Sequence, residues 1–414
     1  MSQSKMSNSG SKWRWGRRWR SCRLRLSSNN NLPSLPEELL EEILVRLPVK
    51  SLLRFRCVQK SWSTLVQNPT FIAKHLRHHQ TKTKNPSILV EGMDKEGNFK
   101  YLLQSHPDEG GGVRIVDFKG DSMGRLFTLR PLTSMFACIN GIICFSGVFR
   151  GHYGFVLWNP AIRKGKVVSY PNPPDCPAHF VRIRSCHAFG FDQNSNDYKV
   201  VRVVEHRKKS VENSITRYRS YFFVYSLRAD SWTQIFGTPV QHNNIKLHSR
   251  CDEIFFNGFH HWIGSLNSEP GDSYDHHIIM SFDMSHEVFQ IIRFPDMFFP
   301  NKTLAVFNDC LACIVYGINE YIDIWVMREY GVEDSWTKQL VVGHLLGIQR
   351  PLQILGNEEI LLVDEKKTLV LYNIGSQEMK ILQRTGYPKI FMPTQAFGYV
   401  ESLVSFTGGD VFES

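Results

Sequence analysis

From about Ser87 onward the chain reads as short apolar runs separated by turn residues, and five stretches share one pattern. They are "FVLWNPAIRKGKVVSYP" (155–171), "FFVYSLRADSWTQIF" (222–236), "IMSFDMSHEVFQIIRFP" (279–295), "DIWVMREYGVEDSWTKQL" (323–340) and "LVLYNIGSQEMKIL" (369–382). Each runs apolar strand, polar turn, second apolar strand, which is the pattern of a β-hairpin. A lone hairpin buries too little apolar surface to persist in water. Hairpins repeated every few tens of residues therefore have to stack on one another, as the blades of a propeller do. The intervals are irregular, so the number of blades is not legible. The Gly-Gly doublets of kelch repeats are almost missing, since "GGG" at 110–112 and Gly408-Gly409 do not recur from unit to unit.

Ahead of this β-rich body stands a segment of a different kind, "LPEELLEEILVRLPVKSLLRFRCVQKSW" (35–62). Pro36 suits the first turn of a helix, and Glu37 and Glu38 lie where the helix dipole favours acid. Leu39, Leu40, Ile43, Leu44 and Leu47 recur at helical spacing as one apolar stripe, and Pro48 ends the helix. Val49, Leu52, Leu53 and Phe55 mark a second short helix. A third is expected from about Val58 to Val66, before Asn68-Pro69 breaks it, with a last turn or two from Phe71 to Leu76. A bundle this small buries little core of its own, so its apolar surface calls for a partner.

Charge narrows the functional classes. The net charge is +10, but the eight Lys and Arg of residues 1–36, a stretch with no acid, leave only +2 for the rest. The body thus lacks the basic surplus of a phosphate-tracking groove, and no nucleic-acid partner is expected for it. The tail, "SKWRWGRRWRSCRLRLSSNNN", has the composition of an import signal, an RNA-binding arm or a membrane-surface segment. Its Ser and Asn flanks and Gly16 favour a solvated extension. No apolar run reaches the length of a membrane span, and no secretory leader is apparent. Nine cysteines without framework spacing fit free thiols in a reducing compartment, so the nucleus or cytoplasm is expected.

A search for catalytic or metal-binding constellations finds none. Cys310-x-x-Cys313 lies in an alternating apolar run and has no second pair. His75, His78 and His79 share a helical face, but read as a solvated helix end. His260-His261 and His276-His277 are adjacent pairs, whose side chains point to opposite faces of a strand. Asp192, Asp230, Asp283 and Asp323 are expected at strand ends as turn formers. Trp158, Trp232, Trp262, Trp325 and Trp336 are expected mostly in blade packing.

The segment from Leu35 to about Leu76 resembles an F-box. Leu35-Pro36, Ile43-Leu44, Leu47-Pro48, Leu52 and "RCVQKSW" fall where that motif has them, with Gln59 in place of the Cys common in plant versions. The remainder resembles the plant F-box-associated domain, through "CINGIICF" with "LWNPAIRK" (138–145, 157–164), "AFGFDQNSNDYKVVRV" (188–203), "FNGFHHWI" (256–263) and the hairpins already quoted. The resemblance implies an α+β multidomain chain, with a small N-terminal three-helix F-box followed by a large all-β propeller. It divides into a disordered basic tail (1–31), F-box (32–78), linker (79–86) and F-box-associated domain (87–414). It implies the substrate receptor of an SCF-type ubiquitin ligase, docking on an SKP-type adaptor and through it a cullin, with an unspecified protein substrate on the β domain; the alternatives are a non-ligase F-box scaffold or interaction protein and, more distantly, a propeller enzyme or lectin. Such a receptor performs no bond chemistry and needs no cofactor. Pollen self-incompatibility determinants are among its relatives. On this resemblance the adaptor-facing residues are Leu35, Pro36, Ile43, Leu47, Pro48 and Leu52, while Leu44, Leu53 and Val58 are candidates for internal core.

Overall fold

The computed structural model describes residues 36–82, 87–97, 99–105, 113–115, 134–149, 151–172, 180–208, 218–236, 245–248, 253–266, 276–294, 301–318, 320–356, 358–382, 392–406 and 410–413. Four helices come first: α1 (Glu37–Val45), α2 (Val49–Phe55), α3 (Lys60–Gln67) and α4 (Pro69–Lys82). Pro36 and Pro48 stand immediately before α1 and α2 with extended ψ. There a missing N–H costs nothing, because the first turn has no acceptor for it. The expected last turn or two is in fact a helix of 14 residues, and it reaches into the stretch expected as a linker.

The β body is a ring of six antiparallel sheets. Blade 2 is Ser134–Ile139, Ile142–Phe149, His152–Asn159 and Lys164–Ser169 from the axis outward, with Asp410–Glu413 added at its outer edge. Blade 3 is Phe180–Asp192, Asp197–Lys208, Tyr218–Ser226 and Ser231–Ile235. In blade 4, Ile245–Leu247 and Glu253–Phe256 share one side of Phe259–Leu266, followed by His276–Asp283 and Val288–Arg293. Blade 5 is Asn301–Phe307, Cys310–Ile318, Tyr321–Met327 and Trp336–Val342. Blade 6 is Ile348–Leu355, Glu359–Asp364, Leu369–Asn373 and Met379–Ile381. Blade 1 is assembled from both ends of the body. Its inner strand, Met392–Tyr399, pairs with Ser87–Met93, which continues to Phe99–Gln104 and Val113–Ile115. The inner strands touch in sequence around the axis, and the last returns to the first.

The five hairpins legible in the sequence are the third and fourth strands of blades 2 to 6, in order. All five of their turns carry a residue of positive φ: Arg163, Asp230, Glu287, Gly331 and Gln377. The first-to-second strand turns use Asn140-Gly141, Asn196, Asn257-Gly258 and Asn308-Asp309 in the same way, the residue types that tolerate positive φ best.

No blade owns a core. Each of the six apolar clusters of the ring joins two neighbouring blades, from blades 1 and 2 around Phe145 and Tyr399 to blades 6 and 1 around Leu361 and Ile88. All five tryptophans named above lie in or against these clusters. Buried carboxylates reinforce the seams. Glu91 of blade 1 accepts a hydrogen bond from the Met135 backbone N–H of blade 2 at 3.0 Å. Glu205 of blade 3 does the same for Leu247 of blade 4 at 3.0 Å. In each case the acid satisfies a main-chain donor that would otherwise be buried without an acceptor.

Candidate functional site

The helices form a seventh cluster of Leu44, Val45, Val49, Leu52, Val66 and Phe71, completed by Leu403 from the far end of the chain. Leu40, Leu47, Leu53, Phe55, Leu65 and Ile72 pack around it, together with Ala161 and Ile162 of blade 2. The opposite side of α1 is left apolar and open. Leu39 is 53% exposed and Ile43 48%, and four-residue spacing puts them on one helix face. Lys74 of α4 bridges Glu41 at 2.9 Å and Glu42 at 2.7 Å, which draws α4 to α1 beside that face.

The residues expected to face an adaptor are thus sorted by the fold. Leu35 lies outside the described residues. Pro36, Ile43 and Pro48 are exposed and Leu47 is half-buried. Leu52 departs from the expectation: it is fully buried in the helical cluster and presents no surface to a partner in this conformation. Among the suggested internal residues, Leu44 is buried and Leu53 half-buried, but Val58 is 67% exposed in the turn between α2 and α3. Val58, expected to open the third helix, lies ahead of it, because α3 begins only at Lys60.

His75 also departs from its solvated reading. Its ring is buried, and Nε2 lies 2.9 Å from the Leu47 carbonyl oxygen, pinning the Leu47-Pro48 corner to α4. Burial pushes its pKa down to about 4, against the opposing pull of that carbonyl. The ring therefore sits there neutral, donating from Nε2.

The second concave site is the axis of the ring. Its cavity of about 270 Å³ is lined mainly by inner-strand residues, among them Cys138, Glu253, Arg350, Gln353 and Gln395, with His260 from the second strand of blade 4. Arg350 Nη2 donates to the Thr394 carbonyl at 2.7 Å and to that of Pro393 at 3.2 Å, tying blade 6 to blade 1. Burial raises the Glu253 carboxyl to about 8 and lowers the neighbouring His260 to about 3, so both are neutral near pH 7. His261, on the other face of its strand, has Nε2 2.8 Å from the Tyr330 hydroxyl of blade 5 and is lowered to about 3, again by burial first. One mouth of the axis is lined by Asn140, Gly141, Asn257 and Val400, together with Gln80 of α4.

Among the described residues no group of three or more His, Cys, Asp and Glu is placed to hold a metal ion, and no helix is long and apolar enough to cross a membrane. Cys313 is buried in its strand and Cys310 half-buried. Asp192 and Asp283 each accept backbone N–H bonds within their own turns, at 2.9 Å from Asn194 and 2.8 Å from Ser285. Asp230 sits in its turn with positive φ. Asp323, expected at a strand end, is instead within a strand and pairs with Lys338 at 2.6 Å.

A helical module with an open apolar face, seated on a closed six-bladed propeller, defines a two-part binding protein. The F-box associated beta propeller domain matches residues 129–406, and the F-box domain matches residues 32–74. The chain belongs to this family and is a plant F-box protein with a C-terminal F-box-associated domain. It is similar to an F-box/kelch-repeat protein of Arabidopsis thaliana, 28% identical over 358 residues, covering 83% of this chain and 88% of the relative. The F-box protein CPR1 of the same plant is 26% identical, with 92% of this chain and 91% of that one covered. A further Arabidopsis F-box protein is 27% identical, with 87% and 90% covered.

Proposed function

We propose that this protein is the substrate-recognition subunit of an SCF-type ubiquitin ligase. Its F-box docks on an SKP-type adaptor, which links it to a cullin, and its propeller holds a protein substrate for ubiquitination. The observation that carries this reading is the open face of α1. Leu39 and Ile43 remain exposed on a helix whose other side is packed against the rest of the chain. Burying two such side chains in a partner contributes about 1.5–3 kcal/mol each.

The substrate face is the side of the propeller away from the helices. Asn140, Ala161 and Ile162 meet the helical module at the first-to-second and third-to-fourth strand turns, which lie on one face of the ring. The three most exposed large apolar residues described in the propeller are Tyr153, Phe236 and Leu346. All lie at strand ends on the opposite face. Aromatic and apolar anchors of this kind carry most of the energy in protein interfaces. The receptor performs no bond chemistry; it raises the local concentration of substrate lysines near the charged E2. Its place of work is the nucleus or cytoplasm, a reading supported by the free thiols of all six described cysteines.

Co-purification tests the proposal. Wild-type chain is expected to bring down both adaptor and cullin, and the double variant Leu39→Asp, Ile43→Asp neither, with its propeller intact. Undiminished capture by that variant rejects the assignment. It is a cleaner probe than Leu47→Ala, which also disturbs the corner held by His75.

A further inference from the structure

Residues 400–406 have no regular secondary structure, yet they lie between the two halves of the molecule. They follow the inner strand of blade 1, cross the helix-side face of blade 2, and precede the strand Asp410–Glu413 at that blade's outer edge. Blade 2 grips them at two points. Asn159, fully buried, donates from Nδ2 to the Ser402 carbonyl at 3.0 Å, the Ser402 hydroxyl at 3.1 Å and the Val404 carbonyl at 2.8 Å. Gly141 leaves no room for a side chain, because a Cβ there would lie 2.5 Å from the Val400 carbonyl oxygen.

From this fixed segment the side chains point two ways. Leu403 enters the helical cluster, beside Leu44, Val49, Leu52 and Phe71. Phe406 enters the seam between blades 2 and 3. A polar chain runs in parallel a short distance away. Gln80 at the end of α4 donates to Asn140 Oδ1 at 3.0 Å, and Asn140 Nδ2 donates to the Tyr198 hydroxyl of blade 3 at 3.1 Å. A further route between the halves runs through Ala161 and Ile162, the residues two and three places after Asn159. Asn159 Oδ1 accepts from the Ala161 N–H at 3.0 Å, so one side chain sets the conformation of both contacts.

We propose that residues 400–406 are a latch that couples order in the F-box to closure of the propeller. The segment can place Leu403 only when Met392–Tyr399 is seated as the inner strand of blade 1 and Asn159 holds Ser402. Opening the ring therefore withdraws a core residue from the helices, and the helices lose order with it. The coupling is reciprocal, as any such linkage must be: a clamped F-box holds the ring shut. The latch also fixes the direction in which α1 presents its open face relative to the propeller axis. This inference does not depend on which partner α1 engages.

Hydrogen exchange on the full chain tests it, with three variants. Leu403→Ala removes the core contribution. Asn159→Ala releases the segment through a residue whose described side-chain hydrogen bonds go to the segment and to Ala161. Leu403→Met keeps the apolar volume. The first two are expected to lower amide protection in α1, α2 and α4 at least about tenfold and to loosen Met392–Tyr399, while blades 4 and 5 keep wild-type protection. Leu403→Met should stay near wild type. Unchanged F-box protection in Asn159→Ala overturns the proposal, since Leu403 would then be a passive cover. An equal loss across all six blades overturns it as well, because the segment would then be ordinary propeller core.

Discussion

The two halves of this chain share one economy of packing but differ in how they meet solvent. In the propeller, each apolar cluster is built by two blades, and the chain of seams closes on itself. In the F-box, four helices make one cluster and still borrow Leu403, Ala161 and Ile162 from the ring. Neither a blade nor the helical module is a self-sufficient unit. The difference lies at the surface. The ring consumes its apolar faces internally, whereas α1 leaves Leu39 and Ile43 uncovered. An apolar face retained on a small module is what a docking element needs, and it is tolerable only because the other face is anchored.

The comparison breaks most readily at a seam. Phe145→Ala empties a fully buried site shared by blades 1 and 2 and should cost about 3–5 kcal/mol. Hydrogen exchange in each blade across a urea series checks this. A loss confined to one of blades 1 and 2, with the other keeping its wild-type midpoint, would refute the shared-core account. Asn159→Ala comes next. It strands buried carbonyls on residues 402 and 404 and should cost about 1–3 kcal/mol, again by denaturant midpoint.

Acid separates the halves through their buried histidines. His187, His260 and His261 in the propeller are lowered to about 3, and His75 in the F-box to about 4, in each case by burial first. Each is neutral in the fold but binds a proton below its ordinary value of 6.5 once unfolded. The unfolded chain therefore takes up more protons, and stability falls as pH drops from 6.5 toward the folded-state values, by up to about 1.4 kcal/mol per histidine per pH unit. His261→Gln, which keeps a polar group near Tyr330, should flatten the acid slope of propeller unfolding; His75→Gln should flatten that of the F-box most strongly. Denaturant midpoints measured at a series of pH values test both, and an unaltered slope in either variant would contradict the burial argument. The smallest stability effect belongs to the open face. Ile43→Ser should change stability by less than about 0.5 kcal/mol, and a larger loss would mean that Ile43 is part of the fold.

The sequence made the outer hairpins legible because strand, turn and strand are local signals, carried by "LRAD" or "MSHE" within a few residues. Blade 1 was not legible, since Ser87–Met93 pairs with Met392–Tyr399 some three hundred residues away, and no local pattern announces it. On the helices the apolar stripe was plain, but which half of it faced inward depended on blade 2 and Leu403. That is why Leu52 is buried; Val58 is exposed because it stands in the turn ahead of α3. His75 was misplaced for the same reason, because its burial depends on the corner at Leu47. "VESLVSF" at 400–406 has neither period, so nothing in it betrays a structural role. In "LWNPAIRK", Asn159, Ala161 and Ile162 now have one: they join ring, segment and helices.

The position of Leu403 has a consequence for synthesis. The helices leave the ribosome first, and the residue that completes their core follows Leu76 by more than three hundred positions. At ~5–20 residues per second, that delay is on the order of tens of seconds. Throughout it the nascent chain displays an unfinished helical core and an unclosed ring together. A cell making this protein has to shield both, and a single late segment ends the exposure of both.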